Sequence, residues 1–295
     1  MDGDLFVLAD KKPRENPIPI KKEKWYQGKP VGSVIVLAVV VLGCMGCDWF
    51  ALKDPAFMDL KNCSVMPGRL FWFGTDVMGR DIFSGIWYGG RISLFIGFAS
   101  TVISTGMAVV IGSVSGMAPP WLDEWIMRFA EIFMSVPGLL LIILLQAVLG
   151  DANVVTLSLV IGITGWTAMA KVVRTEVRRL RGSEYVIASR CMGGGFFYIL
   201  WKHLAPNFVS SIMFMVVMNI RSGIVTESTL SFMGIGLPLE ILSWGSMLSL
   251  SERALLGGEW WMIVIPGAFL VTTLLCVTNI GNYLRREGNR RESCL

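Results

Sequence analysis

The chain has 295 residues, of which 54% are hydrophobic and 16% are charged, and its formal net charge is +4. Soluble globular domains contain about 25% charged residues, so this composition excludes an ordinary soluble domain and indicates one unit embedded in a lipid bilayer. The basic residues flank apolar runs and form no stripe with interleaved aromatics, which argues against a nucleic-acid partner.

The six cysteines and the single histidine do not form a metal-binding pattern. Cys44 and Cys47 make a C-x-x-C pair, but no second pair and no histidine cluster completes a zinc-binding set. We therefore predict no metal ligands. A disulfide between Cys63 and either Cys44 or Cys47 would require an oxidising compartment, and it stays open as an alternative.

The first thirty residues are polar and hold seven basic residues, with prolines that disfavour a long helix. They predict a cytoplasmic N-terminal tail over residues 1–30. The uncharged run 31–47 follows and predicts the first transmembrane helix. A cleaved lipoprotein signal ending at Cys44 is the weaker interpretation, because the run begins late and further apolar runs follow it.

Five more apolar runs are long enough to cross a bilayer, whose core of about 30 Å needs about 20 helical residues. Lipid offers no partner for open backbone groups, and the runs lack the alternation of barrel strands, so helices are predicted. The predicted fold is an all-α membrane protein with six transmembrane helices, in a transmembrane domain spanning 31–284 that precedes a C-terminal tail, 285–295. Helices two to six are predicted at 92–117, 132–149, 152–170, 205–232 and 260–284.

The distribution of Lys and Arg predicts the orientation. With the N-terminus in the cytoplasm, 19 of these residues fall on the cytoplasmic side and six fall outside. Because loops that stay in the cytoplasm are enriched in Lys and Arg, both ends of the chain are predicted to be cytoplasmic. The segment 48–91 is then external.

The external segment ends in a dense polar cluster at the mouth of the second predicted helix, where opposite charges can pair. The charged residues of this cluster are Asp76, Arg80, Asp81 and Arg91.

Two local contacts are predicted further along the chain. Gly112 and Gly116 form a small-xxx-small pair, which favours close packing between helices. Arg128 and Glu131 are spaced i, i+3 and can pair at the inner end of the third predicted helix.

A polar, basic segment lies between the fourth and fifth predicted spans, and we call residues 176–207 the two-helix loop. Ser183 is placed to cap a short helix, and glycines 193–195 turn the chain into a second helix that returns to the membrane. From these residues alone, an amphipathic helix lying on the membrane and a docking surface for another protein both stay open.

The two-helix loop resembles the EAA loop of permease subunits of ABC importers, in which two short helices dock into a groove of a cytoplasmic ATPase. The matching positions are Glu184-Tyr185-Val186, Ala188-Ser189-Arg190, Gly193 and His203-Leu204-x-Pro206-Asn207. Ser189 stands at the second alanine of the motif, and Gly195 replaces a residue that is often serine. The resemblance implies a coupling loop whose ATPase-docking residues are Glu184, Tyr185, Ala188, Ser189, Met192 and Gly193.

Further motifs extend the resemblance over nearly the whole chain, to the C-type permease subunits of the dipeptide, oligopeptide and nickel importers. These motifs are Phe73-Gly74-Thr75-Asp76-x-x-Gly79-Arg80-Asp81, Gly89-x-Arg91-x-Ser93-Leu94, Leu230-Ser231-Phe232-Met233-Gly234-Ile235-Gly236 and Trp244-Gly245-x-Met247-Leu248.

This resemblance implies the type I ABC importer permease fold, in a bacterial inner membrane, and a defined set of partners. They are a second homologous permease subunit, two cytoplasmic ATPase subunits and an external solute-binding protein. ATP and Mg would be bound by the ATPases, so the chain itself would need no cofactor and would catalyse nothing. The residues expected on the binding-protein side are Asp76, Arg80, Asp81, Arg91 and Trp244.

Two ionisable residues interrupt the fifth predicted span. An arginine near a helix centre costs about 2.5–3.5 kcal/mol on insertion scales, so Arg221 should face protein or water and find a partner. The resembling family usually has an uncharged residue at this position. We expect Arg221 and Glu227 to line the translocation path, with Arg221 attracting a substrate carboxylate. An ion pair of Arg221 with Glu227, or with a partner subunit, is the alternative.

The predicted function is a transmembrane permease subunit of an ATP-driven importer for peptides or related small solutes. The chain has no G-x-x-x-x-G-K-[ST] phosphate loop, so it is not itself the ATPase. An ion-coupled carrier or channel working alone is the main alternative, but such proteins usually carry several ionisable groups at mid-membrane. A membrane-embedded hydrolase would need a nucleophile with a base or a metal triad, and His203 is the single histidine.

Overall fold

The fold is that of a computed structural model, which describes residues 30–50, 57–150, 152–238, 240–255 and 257–292. The predicted N-terminal tail lies outside this part of the chain, except for Pro30. Within it the regular secondary structure is helical, apart from an isolated antiparallel bridge between Thr75 and Asp81.

Twelve α-helices follow one another along the described residues, and three further short helical turns lie between them. The helices are α1 (Val31–Met45), α2 (Cys47–Phe50), α3 (Ile82–Met117), α4 (Pro120–Ser135), α5 (Gly138–Leu149), α6 (Val154–Thr164), α7 (Thr167–Leu180), α8 (Glu184–Cys191), α9 (Phe196–Ile199), α10 (Ala205–Phe232), α11 (Trp244–Leu250) and α12 (Trp261–Glu292). A π-helical turn, Leu200–Leu204, joins α9 to α10, and 3₁₀ turns lie at Leu60–Asn62 and Glu252–Leu255.

Three helical segments of the described chain are long and apolar enough to cross a membrane: α3, the continuous helix Phe196–Phe232, and α12. The bent pairs α4–α5 and α6–α7 raise the number to as many as five if each pair is one span, and α1 is a shorter apolar helix. The chain is therefore an integral membrane protein. The count of six spans stays a prediction, because α1 and the two bent pairs are not long straight helices.

The structure places the start of α3 at Ile82, well before the predicted start at residue 92. Asp81 caps the helix, since its Oδ2 accepts hydrogen bonds from the Ser84 amide at 2.9 Å and the Ser84 hydroxyl at 2.7 Å. Ser84, Gly85 and Ile86 are buried, so packing at the N-terminal end of α3 extends the helix beyond its apolar run.

The third predicted span, 132–149, is a bent helix pair in the structure. The axes of α4 and α5 meet at 94°, and the chain is extended at Val136, directly before Pro137. Proline disfavours the helical conformation of the residue before it, which explains the break. α6 and α7 meet at 47° around Gly165 and Trp166.

α3 lies at the centre of the bundle and packs against α6, α7 and α10. Gly112 allows a close approach of α3 and α7: a Cβ atom there would lie 2.6 Å from the Ala170 carbonyl oxygen and 2.8 Å from Val173 Cβ. Gly116, which is also in α3, faces Val177 of α7 at a similarly short distance. The predicted small-xxx-small contact is confirmed, and its partner is α7.

The largest buried cluster lies at the end of the bundle that carries the two-helix loop. It joins α3, α7, α8 and α10 through apolar side chains, among them Val173, Val177, Val186, Leu204 and Phe208. The cysteines at 44, 47 and 63 are free thiols, so the open disulfide alternative is not formed.

We expect Gly112→Ala to destabilise the protein by about 1–3 kcal/mol, because the added methyl group must push α7 away from α3. Gly106→Ala is the matched control in the same helix, since a Cβ atom at Gly106 meets nothing within 4 Å. That change should be neutral or slightly stabilising, because alanine favours helix over glycine. Thermal unfolding in detergent measures both, and equal midpoints for the two variants would contradict the packing described here.

Candidate functional site

The two-helix loop is built from α8, a glycine turn and α9, which continues through the π-helical turn into α10. Gly193 has φ +84°, a left-handed conformation that glycine adopts without strain. The Gly194 amide donates to the Ser189 carbonyl at 2.9 Å and closes the turn. The predicted side-chain cap at Ser183 is wrong: its hydroxyl donates instead to the Leu180 carbonyl at 2.6 Å.

One side of the loop is buried and the other is exposed. Val186, Ile199 and Leu204 pack into the core between α7 and α10. The opposite side presents large apolar side chains, with Met192 83% exposed, Phe197 71% exposed and Trp201 69% exposed. Exposed apolar side chains of this size on a basic loop can take part in binding another protein.

Five of the six predicted docking residues lie on the exposed side of the loop: Glu184, Tyr185, Ala188, Met192 and Gly193. Ser189 is buried, and its backbone oxygen holds the glycine turn. Sequence reasoning placed Phe197 in the second apolar helix of the loop and named neither Phe197 nor Trp201 as a docking residue. Their spacing of i, i+4 on a short helix was the available signal.

His203 lies beside two aromatic rings of the loop. Its ring centroid is 5.9 Å from that of Tyr185 on α8 and 5.9 Å from that of Tyr198 on α9. The histidine therefore packs the two short helices together.

A buried ionic cluster lies directly behind the loop, and we call it the Asp123 junction. Asp123, near the start of α4, is 2% exposed. Arg174 donates to both of its carboxylate oxygens at 2.5 Å, and Arg178 also donates to Oδ2. The Ser115 hydroxyl, near the end of α3, donates to Oδ1 at 2.5 Å.

The Asp123 junction ties three helices together at one end of the bundle. Both arginines belong to α7, the helix that leads into the two-helix loop, and Arg181 of the same segment donates to the Gly116 carbonyl of α3 at 3.0 Å. The two parallel hydrogen bonds from Arg174 fix both the distance and the relative orientation of its guanidinium and the Asp123 carboxylate. The end of α3, the start of α4 and the base of the loop are thereby fixed to one another.

The predicted pair of Arg128 with Glu131 is wrong. The Glu131 carboxylate lies 3.9 Å from Lys171 Nζ, across the gap between α4 and α7. The i, i+4 spacing of Arg174 and Arg178 on one face of α7 was the sequence signal for the junction, but the position of its carboxylate depends on how α4 folds back.

At the other end of the bundle, most of the predicted binding-protein residues are buried. The Asp76 carboxylate accepts from the Met78 and Arg80 amides, both at 2.8 Å, and burial raises the pKa of Asp76 despite these bonds. Trp244 is fully buried and donates to the Ile86 carbonyl at 2.9 Å. Arg80 and Asp81 are buried as well. These four side chains stabilise the loops at this end of the bundle from within.

Arg91 contacts α1 and α2 instead of the other charges in its cluster. Its guanidinium lies 2.8 Å from the Asp48 carboxylate and donates to the carbonyls of Cys44 and Met45. The hydrogen bond from Arg91 lowers the pKa of Asp48. Arg91 thus holds the end of the first apolar helix against α3.

Arg221 and Glu227 are on different sides of α10. Glu227 is 0% exposed, and its carboxylate accepts from Ser93 of α3 at 2.9 Å and from Ser231 at 3.0 Å. Arg221 is exposed, and the ion pairs of the described chain do not include it. The alternative of an Arg221–Glu227 pair is therefore not formed in this conformation.

Within the described residues, no group of three or more His, Cys, Asp or Glu side chains is placed to hold a metal ion.

Comparison with known proteins identifies the family of this chain. Residues 108–287 match the family model described as "Binding-protein-dependent transport system inner membrane component". The chain belongs to this family. It is a permease subunit of the ABC importer type, and the matched residues include the Asp123 junction, the two-helix loop and Arg221.

Several relatives are similar over most of their length. The chain is 37% identical to the oligopeptide transport system permease protein OppC of Bacillus subtilis over 253 residues, which cover 86% of this chain and 82% of the relative. It is 32% identical to the dipeptide transport system permease protein DppC of the same organism over 293 residues, covering 96% and 91%. It is 30% identical to the di/tripeptide transport system permease protein DppC of Pseudomonas aeruginosa over 279 residues, covering 91% of each.

We expect Asp123→Asn to lower the free energy of unfolding by about 3–5 kcal/mol, because it leaves two arginines at a partly buried site without their carboxylate. Glu131→Gln is the matched control, since it removes a carboxylate from the exposed pair between the same two helices and should cost less than about 1 kcal/mol. Unfolding of the purified variants in detergent measures the difference. Equal losses for both variants would contradict a structural role for the Asp123 junction.

Proposed function

We propose that the chain is the permease subunit of an ATP-driven importer of peptides or related small solutes, and that it forms the translocation path with a second, homologous permease subunit. The observation that carries this proposal is the exposed apolar surface of the two-helix loop, which stands on a buried ionic junction. The relatives support the substrate class, because their names assign them to oligopeptide, dipeptide and di/tripeptide transport.

The proposed topology has six membrane crossings with both ends of the chain in the cytoplasm of a bacterial inner membrane. The crossings are α1, α3, the pair α4–α5, the pair α6–α7, the continuous helix Phe196–Phe232, and α12. Membrane orientation follows the excess of Lys and Arg on the side of the two-helix loop. At 15 residues α1 is about 22 Å long, so the bilayer thins beside it or flanking residues extend to the interface.

The two-helix loop is the proposed docking site for the cytoplasmic ATPases, which bind ATP and Mg. Its exposed side combines apolar side chains with the charge of Glu184 and Arg190 at its edge. Interface energy usually concentrates in a few large side chains surrounded by polar ones. The central contacts are therefore expected at Tyr185, Met192, Phe197 and Trp201, with Ala188 and Gly193 permitting close approach.

Movement of the ATPases would reach the membrane through the base of the loop. Val186 of α8 is packed against the same core as Val177 of α7, so the loop cannot shift without α7. The Asp123 junction then connects α7 with the ends of α3 and α4. A displacement of the loop is transmitted to the central helix of the bundle as a rigid-body motion, which is the basis for alternating access.

The external loops are the proposed contact for a solute-binding protein. Asp76, Arg80, Asp81 and Trp244 give these loops their shape, and Arg91 anchors them to the first apolar helix. Direct contact is expected from exposed neighbours such as Trp72 and Met233.

An ion-coupled carrier working alone would have no partner protein to bind the exposed surface of the two-helix loop. It would also need ionisable groups that open to the path, whereas Glu227 is enclosed by serine hydroxyls. The exposed apolar loop favours the ATP-driven importer.

The docking assignment is tested by Met192→Glu, which places a carboxylate in the centre of the exposed apolar surface. Loss of one central contact should weaken association with the ATPases by about tenfold or more. Copurification of the ATPases with the tagged chain measures the effect.

Met233→Glu is the matched control, because it makes the same change at an exposed methionine at the opposite end of α10. It should leave association with the ATPases unchanged. If Met192→Glu copurifies with the ATPases as well as the wild type does, the loop is not their docking site.

A further inference from the structure

The chain between α10 and α11, which the structure describes at 233–238 and 240–243, crosses the end of the bundle opposite the two-helix loop, and we call it the α10–α11 connection. It carries exposed apolar side chains, since Met233 is 55% exposed and Ile235 is 42% exposed. The Ile235 amide donates back to the Leu230 carbonyl of α10 at 3.0 Å. The exposed side chains therefore stand on a turn that is folded against the end of α10.

One buried carboxylate lies beneath both ends of the α10–α11 connection. The hydroxyls of Ser93 in α3 and Ser231 in α10 donate to Glu227 at 2.9 Å and 3.0 Å. The same two hydroxyl oxygens accept from backbone amides: Leu237 donates to Ser231 at 3.3 Å, and Trp244, the first residue of α11, donates to Ser93 at 3.2 Å. Two chains of amide, hydroxyl and carboxylate therefore converge on Glu227.

The direction of these hydrogen bonds follows from the groups that make them. A backbone amide only donates and a serine hydroxyl has one hydrogen, so a hydroxyl that accepts from an amide gives its hydrogen to another acceptor. A carboxylate accepts on both oxygens, so Glu227 keeps the two hydroxyls turned toward the amides. Leu237 is 5% exposed and Trp244 is 0% exposed. Their amides would stay buried without a partner if the hydroxyls turned away.

The helix at the end of the connection is packed closely on two membrane-spanning helices. A Cβ atom at Gly245 of α11 would lie 2.6 Å from Ser228 Cα of α10. A Cβ atom at Gly89 of α3 would lie 3.1 Å from the carbonyl carbon of Ser243. The backbone at the start of α11 thus rests directly on α3 and α10, and the Glu227 hydrogen bonds fix its position along them.

We propose that Glu227 is a positioning residue for the docking of a solute-binding protein, because it holds both ends of the α10–α11 connection in one shape. This inference rests on the proposed function, which places the external loops against a solute-binding protein. It deepens that function by naming the group that orders one of these loops before docking. A surface that is ordered in advance binds more tightly, since the partner does not have to order it.

A lipid surface is the other possible cover for the exposed side of the connection. Glu240 is exposed on the same connection as Met233 and Ile235. A carboxylate at this position is costly to bury in lipid, whereas a protein partner can offer it a hydrogen-bond donor or a cation. The charge therefore favours a protein partner.

The test uses the full complex in liposomes and compares serine-to-alanine variants around the same carboxylate. Ser93→Ala and Ser231→Ala each remove the acceptor of one connection amide. Ser228→Ala is the matched control: its hydroxyl donates to Glu227 at 3.3 Å, and its described hydrogen bonds include no amide of the connection. Glu227→Gln completes the set, because a carboxamide has one acceptor where the carboxylate has two.

Glu227→Gln, Ser93→Ala and Ser231→Ala should raise the apparent KM for the loaded binding protein about tenfold in ATP-dependent uptake, with kcat within about twofold of the wild type. Amide hydrogen exchange over the connection should become about tenfold faster in the same three variants, because local opening becomes easier. Ser228→Ala should change neither quantity. Copurification of the ATPases should match the wild type in all four variants, since the two-helix loop lies at the other end of the bundle.

Two results would overturn the inference while leaving the proposed function intact. Faster exchange over the connection with an unchanged KM would show that the binding protein docks elsewhere and that Glu227 is only structural. Unchanged exchange in Ser93→Ala and Ser231→Ala would show that the hydroxyls do not hold the connection, and these two variants decide the matter even if Glu227→Gln does not fold. Wild-type uptake that needs no binding protein would overturn the proposed function itself.

Discussion

The pairing of Asp123 with two arginines is the constraint on which the loop end of the molecule depends. A carboxylate buried at this depth is stable only with its counter-ions in place, so α4 cannot leave α7 without exposing or isolating charge. Apolar packing alone tolerates sliding between helices, whereas a forked ion pair fixes their register. The junction therefore makes the ends of α3 and α4, together with α7, into one mechanical body that carries the two-helix loop.

The other end of the bundle has one described ion pair, between Arg91 and Asp48, and its buried carboxylates are bound by neutral donors. Glu227 is bound by serine hydroxyls from α3 and α10, and Asp76 is bound by backbone amides.

Much of this architecture follows from the sequence, because apolar runs and small-residue spacing are local signals. Gly112 and Gly116 indicate that α3 packs closely against another helix. Glycines 193–195 indicate the turn of the two-helix loop. Other features arise only when distant segments meet. Pro137 signals a break in its helix, but the 94° angle that brings Asp123 to Arg174 is set by tertiary packing. For the same reason the charges at Asp76 and Asp81 seemed available for external contacts, whereas the fold uses both of them to shape its loops.

The central claim is that this chain transports solute only when ATPases act on its two-helix loop. The most direct measurement is uptake of a labelled tripeptide into liposomes that contain the chain with its second permease subunit, with and without the ATPases. The account predicts uptake that requires the ATPases, ATP on the side of the two-helix loop, and the loaded binding protein on the other. Robust uptake by the chain without ATPases, driven by an ion gradient, would contradict it.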